Sequence, residues 1–409
     1  MIKSIKINNF LSFRNTDVHL NKNQNVLIGI NGSGKSNFLK AIKLLKEGVI
    51  GVGLKKHVID NLGGFDNIFF KGSGNNNSHE ISLEFILDGQ EMTNANYGFH
   101  FTDDIVYSIA LFKAPSGQNF YVKERIATDR GYVYLDFDNG NGVLNEPEVN
   151  FNGNGRNGKK KQVLKRYTFD AQELALREVR ESDADRYYQL STIKKAIKDI
   201  IVYDYFDTTP RSAIRKPMLP TSERKLSADG TNLPQILNTI KINYRPSYRK
   251  ITDMLTEVNP NFEGFSFNMI GGNIELMLDE RLLDSSIHVS SISDGTLRFL
   301  CLLAILFNPD RGKFVCIDEP EVGLHPDMIS NIANAIKEAS ETSTILVSTH
   351  SENLLNYFEI EDARVFEKSD DNSTQINQYQ QSQFEGWYEE FSLGLMWKQG
   401  DIGGVRYGA

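Results

Sequence analysis

The stretch Asn25-Val-Leu-Ile-Gly-Ile-Asn-Gly-Ser-Gly-Lys-Ser-Asn37 decides the fold. Gly29 to Ser36 fit the phosphate-loop pattern, in which Gly29 and Gly34 frame the loop and Lys35 and Ser36 close it. Val26, Leu27 and Ile28 read as a short apolar strand before the loop. Phe38, Ile42 and Leu45 carry helical spacing after it, from Asn37 to Lys46. Gly29, Gly32 and Gly34 let the backbone turn so that its N–H groups point inward at phosphate. The following helix adds its positive end. The phosphate-binding set is Gly29, Asn31, Gly32, Ser33, Gly34, Lys35, Ser36 and Asn37. A plain glycine-rich β-turn is the alternative, and it gives no reason for a strand before and a helix after.

A phosphate loop of this type works with a second strand that ends in a carboxylate. Phe314-Val-Cys-Ile-Asp-Glu-Pro-Glu321 is the best candidate. Its apolar residues suit a buried parallel strand, and Asp318 falls at its carboxyl end, where ligands bind in open α/β sheets. Asp318 and Ser36 are the expected metal ligands. Glu319 follows directly and can orient an attacking water or take its proton. On its own this would read as a strand running into an acidic turn.

Ile292-Ser-Asp-Gly-Thr296 precedes that strand and reads as a helix start, with Ser293 as N-cap and Gly295 permitting close backbone approach. Apolar positions then continue through Phe307. A second buried strand, Thr344 to His350, follows a helix expected over Met328 to Ala339. A lone histidine is more often structural, but His350 at a strand end can polarise a phosphate or position water.

These motifs, in this order, resemble the ABC-type ATPase heads. Within them the chain is similar to the RecF/SMC/Rad50-like branch, especially stand-alone bacterial ATPases related to the overcoming-lysogenization-defect proteins. The resemblance rests on IKSIKINNFLSFRNTDVHL at the start, LSADGTNLPQIL (Leu226 to Leu237), DEPEVGLHP and the ending LGLMWKQGDIGGVRYGA. It implies an α/β P-loop head, a mixed sheet with flanking helices, that binds ATP and Mg²⁺ and closes as a dimer or higher homo-oligomer. It further implies that Lys35 and Ser36 hold phosphate and Mg²⁺, that Asp318 completes the metal shell and that Glu319 is the catalytic carboxylate. His350 would be the switch histidine, and Ser293 and Gly295 would contact the γ-phosphate held by a second copy. Asp294 stands where the usual signature has its first glycine, so either its carboxylate points away or hydrolysis is slow. Asn67 and Gln118 are weak candidates for the Q-loop residue. Stand-alone relatives imply a partner effector encoded nearby, in anti-phage defence or DNA maintenance. The rival readings are an assembly scaffold with little hydrolysis and, third, a transporter's nucleotide-binding subunit.

The expected organisation is an ATPase lobe over 1–140, an inserted helical and loop region over 141–260, a second lobe over 261–368 and a tail over 369–409. No sustained heptads run between Leu164 and Glu257, which predicts a compact lid or arm rather than a long coiled coil. Amphipathic segments are expected at Ala171 to Arg180 and Tyr187 to Ile201. The Asn- and Gly-rich stretch Asp138 to Lys161 reads as a surface loop. Arg156, Lys159, Lys160, Lys161, Lys165 and Arg166 could meet DNA phosphates, although a solvated hairpin is the plainer reading. The aromatic tail, from Trp387 to Trp397, is expected to dock on its own chain. The net charge of −8 excludes a whole-surface attraction to nucleic acid. Cys301 and Cys316 lie in apolar runs, and no leader or spanning segment is evident, so a reduced, soluble cytoplasmic protein is expected, with no membrane partner.

Overall fold

Side chains of alternating polarity make the first sheet. Ile81, Leu83, Phe85 and Leu87 are buried along Glu80–Leu87, and Ile105, Tyr107, Ile109 and Leu111 along Ile105–Lys113. A period of two puts each set on one face. A computed structural model of the chain describes residues 1–72, 79–114, 120–146, 163–384 and 392–404. They form two compact units, each assembled from three stretches. Met1–Lys22, Asn31–Ile200 and Phe366–Asn377 make the first; Asn23–Ile30, Ile201–Val365 and Gln378–Ala409 make the second.

The first unit carries an eight-stranded antiparallel sheet. Its spatial order is Leu164–Thr168, Asn141–Asn145, Val133–Asp138, Phe120–Thr128, Ile105–Lys113, Glu80–Leu87, Ile2–Phe10 and Phe13–His19. The helix Lys35–Val49 buries Phe38, Leu39, Ile42 and Leu45. Phe38 packs edge-on against Phe13 and Phe366, with ring centroids 6.4 and 5.8 Å apart.

The second unit is built on parallel strands. Phe314–Asp318 pairs in parallel with Thr344–Thr349, which pairs in parallel with Gln24–Gly29. Within this unit, residues 201–203 flank the set on one side and residues 363–365 on the other. Nearly every residue of the central strands is buried, as expected of parallel strands covered on both faces. Asp294–Leu306 and Asp327–Ser340 supply the covering helices, and Leu300, Leu303, Ile332 and Ile336 join Val26, Val315 and Val347 in one core. A smaller antiparallel sheet, Phe262–Ile270, Asn273–Glu280 and Ile287–His288, adds Phe265 and Leu276 to it.

The longest described helix has 15 residues, so no described helix forms a long coiled coil. None is long and apolar enough to cross a membrane. The expected segment boundaries differ from this division. Within 141–260, Asn141–Asn145 and Leu164–Thr168 hydrogen-bond into the first unit's sheet. Leu233–Asn243 and Arg245–Val258 instead bury Leu237, Ile240, Ile251 and Leu255 in the second unit's core. Asp138 to Asn145 are not an open loop. Asn139 and Gly140, at φ +49° and +77°, form a two-residue turn between Val133–Asp138 and Asn141–Asn145. Ala171 to Arg180 holds only the short helix Ala175–Glu178, and Tyr187 to Ile201 ends in strand, because Ile200 and Val202 are buried in the sheet edge. Nor are residues after 368 merely a tail, since Thr374–Asn377 is a strand of the first unit.

Glu124 is buried in the first unit. Its Oε1 accepts from Tyr107 Oη at 2.5 Å and from Leu176 N at 3.3 Å, and its Oε2 accepts from Ala175 N. Burial raises this carboxyl from 4.5 to about 7, against the pull of those donors. The folded state therefore favours the protonated form. That contribution is complete below pH 4.5 and is lost as pH rises to about 7. Equilibrium unfolding across this window should show stability falling by on the order of 3 kcal/mol from this group, and Glu124→Gln should flatten that fall.

Candidate functional site

Register sets the geometry of the second unit's strand ends. Asp318 lies level with Ser348, and Ser348 with Leu27. Glu319, His350 and Gly29 thus sit at or just beyond the carboxyl ends of three adjacent parallel strands. That edge is where ligands bind in open α/β sheets.

Glu319 stands at φ +46°, a left-handed conformation rare for a residue with a side chain. Its N–H is held by the Ser348 carbonyl at 3.0 Å and Ser348 Oγ at 3.3 Å. Ser348 Oγ in turn donates to Asp318 Oδ1. The turn directs the Glu319 carboxylate to within 3.3 Å of His350 Nε2, where both side chains remain partly exposed. Left-handed strain costs roughly 1–3 kcal/mol and concentrates at functional sites. Behind this pair lies Glu321, a carboxylate that the strand motif does not single out. Its Oε1 accepts from Thr349 Oγ1 at 2.6 Å and His350 N at 3.0 Å, and burial raises its pKa. Glu321 thereby fixes the strand end that carries His350.

The phosphate loop leaves the carboxyl end of Gln24–Gly29. Gly29 closes that strand and is not left-handed, whereas Gly32 and Gly34 are, at φ +81° and +116°. At Gly34 the need is also steric. A Cβ there would come within 2.4 Å of Thr374 Oγ1 and 2.8 Å of Ser12 Oγ. Those hydroxyls brace the loop. Thr374 Oγ1 donates to the Ser33 carbonyl at 2.6 Å and lies 2.8 Å from Ser12 Oγ, which accepts from Asn37 Nδ2 at 3.0 Å. Lys35 opens the helix with its side chain buried, while Asn31, Gly32 and Ser36 are exposed. Neither Ser12 nor Thr374 is visible as part of the motif, because Thr374 reaches Ser33 from 341 residues along the chain.

Ser293 caps Asp294–Leu306, its Oγ accepting from Thr296 N at 3.1 Å. Gly295 faces the loop after the acidic strand, where a Cβ would stand 2.9 Å from the Gly323 carbonyl. Asp294 is paired, with Oδ1 2.6 Å from Arg215 Nη2. One turn further, Arg298 donates to the Val322 carbonyl at 3.0 Å and stacks 4.3 Å over the Tyr205 ring. Arg298, Tyr205, Asp204, Asp318 and Glu319 share a cavity of about 130 Å³.

Arg156, Lys159, Lys160, Lys161, Gln118, Trp387, Tyr388 and Phe391 lie outside the described residues. Lys165 and Arg166 are exposed on Leu164–Thr168, and Lys165 pairs with Glu146, which also binds Arg186. Asn67 Nδ2 donates to the Leu62 carbonyl at 2.7 Å, a local tie. The helix Leu393–Gln399 buries Leu393, Met396 and Trp397 in the second unit's core.

Residues 25–356 match the family described as "AAA domain, putative AbiEii toxin, Type IV TA system". A Helicobacter pylori protein described as an ATP/GTP phosphatase is 23% identical over 402 residues, covering 92% of this chain and 91% of that protein. Two solved structures are similar. The Smc head bound to the C-terminal winged-helix domain of ScpA has a TM-score of 0.58 at 14% identity, covering 93% of this chain and 99% of that one. The Smc head domain with an extended coiled coil, bound to the C-terminal domain of ScpA from Pyrococcus furiosus, has a TM-score of 0.59 at 12% identity, covering 95% and 98%. The fold is that of an SMC-type head.

Thr374→Val keeps the shape but strands the Ser33 carbonyl. It should lower the stability of the first unit by about 1–3 kcal/mol and weaken ATP affinity about tenfold, read by denaturant unfolding and by nucleotide titration.

Proposed function

The chain belongs to the AAA-domain family matched over residues 25–356, and from that premise we propose that it is an ATP hydrolase whose two half-sites close around the nucleotide in a dimer. The observation that carries the reading is the Glu319–His350 pair, one strand away from the strand that opens the phosphate loop. Backbone N–H groups of Asn31 to Lys35 hold the phosphates, with Lys35 on the β- and γ-oxygens. Ser36 and Asp318 offer the hard oxygen donors that Mg²⁺ prefers, and the bound ion would neutralise charge on the β- and γ-phosphates. Glu319 orients a water and takes its proton as the water oxygen bonds the γ-phosphorus and the bond from that phosphorus to the bridging oxygen breaks, releasing phosphate and ADP. His350 touches the same carboxylate and fixes its direction. Ser293 and Gly295 meet the γ-phosphate of a second copy, so ATP joins two chains and hydrolysis releases them.

Two further features support the reading. The H. pylori relative's description names a nucleotide phosphatase, and Smc heads of this fold bind a partner protein. The family description names a putative toxin and a toxin–antitoxin system, which suits work with a partner protein encoded nearby. An unpaired Asp294 would favour the scaffold reading with little hydrolysis, and its pairing with Arg215 weakens that reading.

Lys35→Ala should abolish ATP binding in a nucleotide titration; native affinity would remove the cradle. Glu319→Gln should bind ATP normally, lose at least about 100-fold in kcat and elute as an ATP-dependent oligomer. Native turnover by Glu319→Gln would take the catalytic role from this residue. The same assay with and without double-stranded DNA tests whether the basic residues matter.

A further inference from the structure

Arg215 has no part in the motifs, yet its guanidinium is fully engaged beside one of them. It ends the single turn Ala213–Arg215 and is only 6% exposed. Nε donates to the Thr208 carbonyl at 2.8 Å. Nη1 donates to the carbonyls of Val289 at 2.8 Å, Ser290 at 3.3 Å and Ile292 at 2.7 Å. Nη2 binds Asp294 Oδ1 at 2.6 Å. Val289 and Ile292 are buried, while Ser290, Ser291 and Ser293 face solvent. One guanidinium therefore grips the turn Val289–Ile292 from inside and leaves its serine face outward. A planar fork with several donors suits this task, and a lysine ammonium would not span it.

The same contact changes the meaning of Asp294. Its side chain is 57% exposed, in the first turn of a 13-residue helix whose N-terminal N–H groups would face an incoming phosphate. An unpaired carboxylate there would repel that phosphate. Held by Arg215, it carries its charge into an ion pair. The departure from glycine and the buried arginine are two halves of one device.

We propose that Arg215 is a positioning residue for the half-site offered to a second copy: it sets the turn that presents Ser293 and neutralises Asp294, so that Ser293 and the start of its helix can accept the partner's γ-phosphate. The proposal rests on the two-copy ATPase reading above. It assigns no direct contact between Arg215 and nucleotide.

The test uses mixtures of full-length chains. Arg215→Met should bind ATP within about threefold of native, since its phosphate loop is untouched, and should lose about 100-fold in kcat with little change in KM. Lys35→Ala is inert alone, but it carries a native Arg215. Mixing the two in equal amounts should restore about a quarter of native turnover, because half of randomly paired dimers hold one complete site. Ser293→Arg mixed with Lys35→Ala is the control for the two-copy reading. Failure of that control overturns the reading and the proposal with it. A working control, with Arg215→Met native in kcat or not rescued by mixing, overturns the proposal alone. If Arg215→Met does not fold, as judged by lost ATP binding and no cooperative unfolding, Arg215→Lys takes its place, with about a tenfold loss in kcat and the same rescue expected. Native kcat in Arg215→Lys, or no rescue, then overturns the proposal.

Discussion

Parallel register is the constraint on which the rest of the site depends. Asp318, Ser348 and Leu27 lie level across three strands. Two acidic residues, a histidine and the start of the phosphate loop therefore emerge along one edge, though Asp318 stands far down the chain from Gly29. A slip of one residue in either pairing would turn each side chain to the opposite face. Burial of nearly every residue on these strands makes such a slip costly, so the core that stabilises the sheet also places the chemistry.

Ser348 is where this constraint becomes local geometry. Its carbonyl and hydroxyl both hold the Glu319 N–H, and the hydroxyl also donates to Asp318. The left-handed turn at Glu319 persists because neighbours over-determine it. Glu321 does the same for His350 from the buried side. The Glu319–His350 pair is thus fixed by backbone and by the neighbouring Ser348 and Glu321. A preorganised pair avoids reorganisation at the moment of reaction.

Much of this was legible in the sequence, for physical reasons. The apolar runs at Val26–Ile28, Phe314–Ile317 and Thr344–Thr349 are strands because residues buried on both faces leave no polar alternation. Ser293 was readable because a hydroxyl at a helix start has a local partner, Thr296 N, three residues on. Partners that act across the fold left no such trace. Arg215 meets Asp294 from 79 residues away, and Thr374 meets Ser33 from 341. Local composition misled at Asp138 to Asn145, where Asn139-Gly140 reads as loop yet is the tight turn that pairs two strands. Helical pattern misled at Ile200, where apolar spacing suits helix and strand alike and the sheet edge decided.

The loop that carries the phosphate-binding motif is braced by Ser12 from the first strands and by Thr374 from near the end of the chain. A ribosome making this protein therefore releases the cradle long before it releases the brace. While Thr374 is still unmade, the nascent loop has no hydroxyl on the Ser33 carbonyl. The second unit, too, takes its central strand from residues 24–29 and must wait for residues 314–349 to pair with it. A chain that stopped short of Thr374 would carry the phosphate-loop motif without the hydroxyl that braces it.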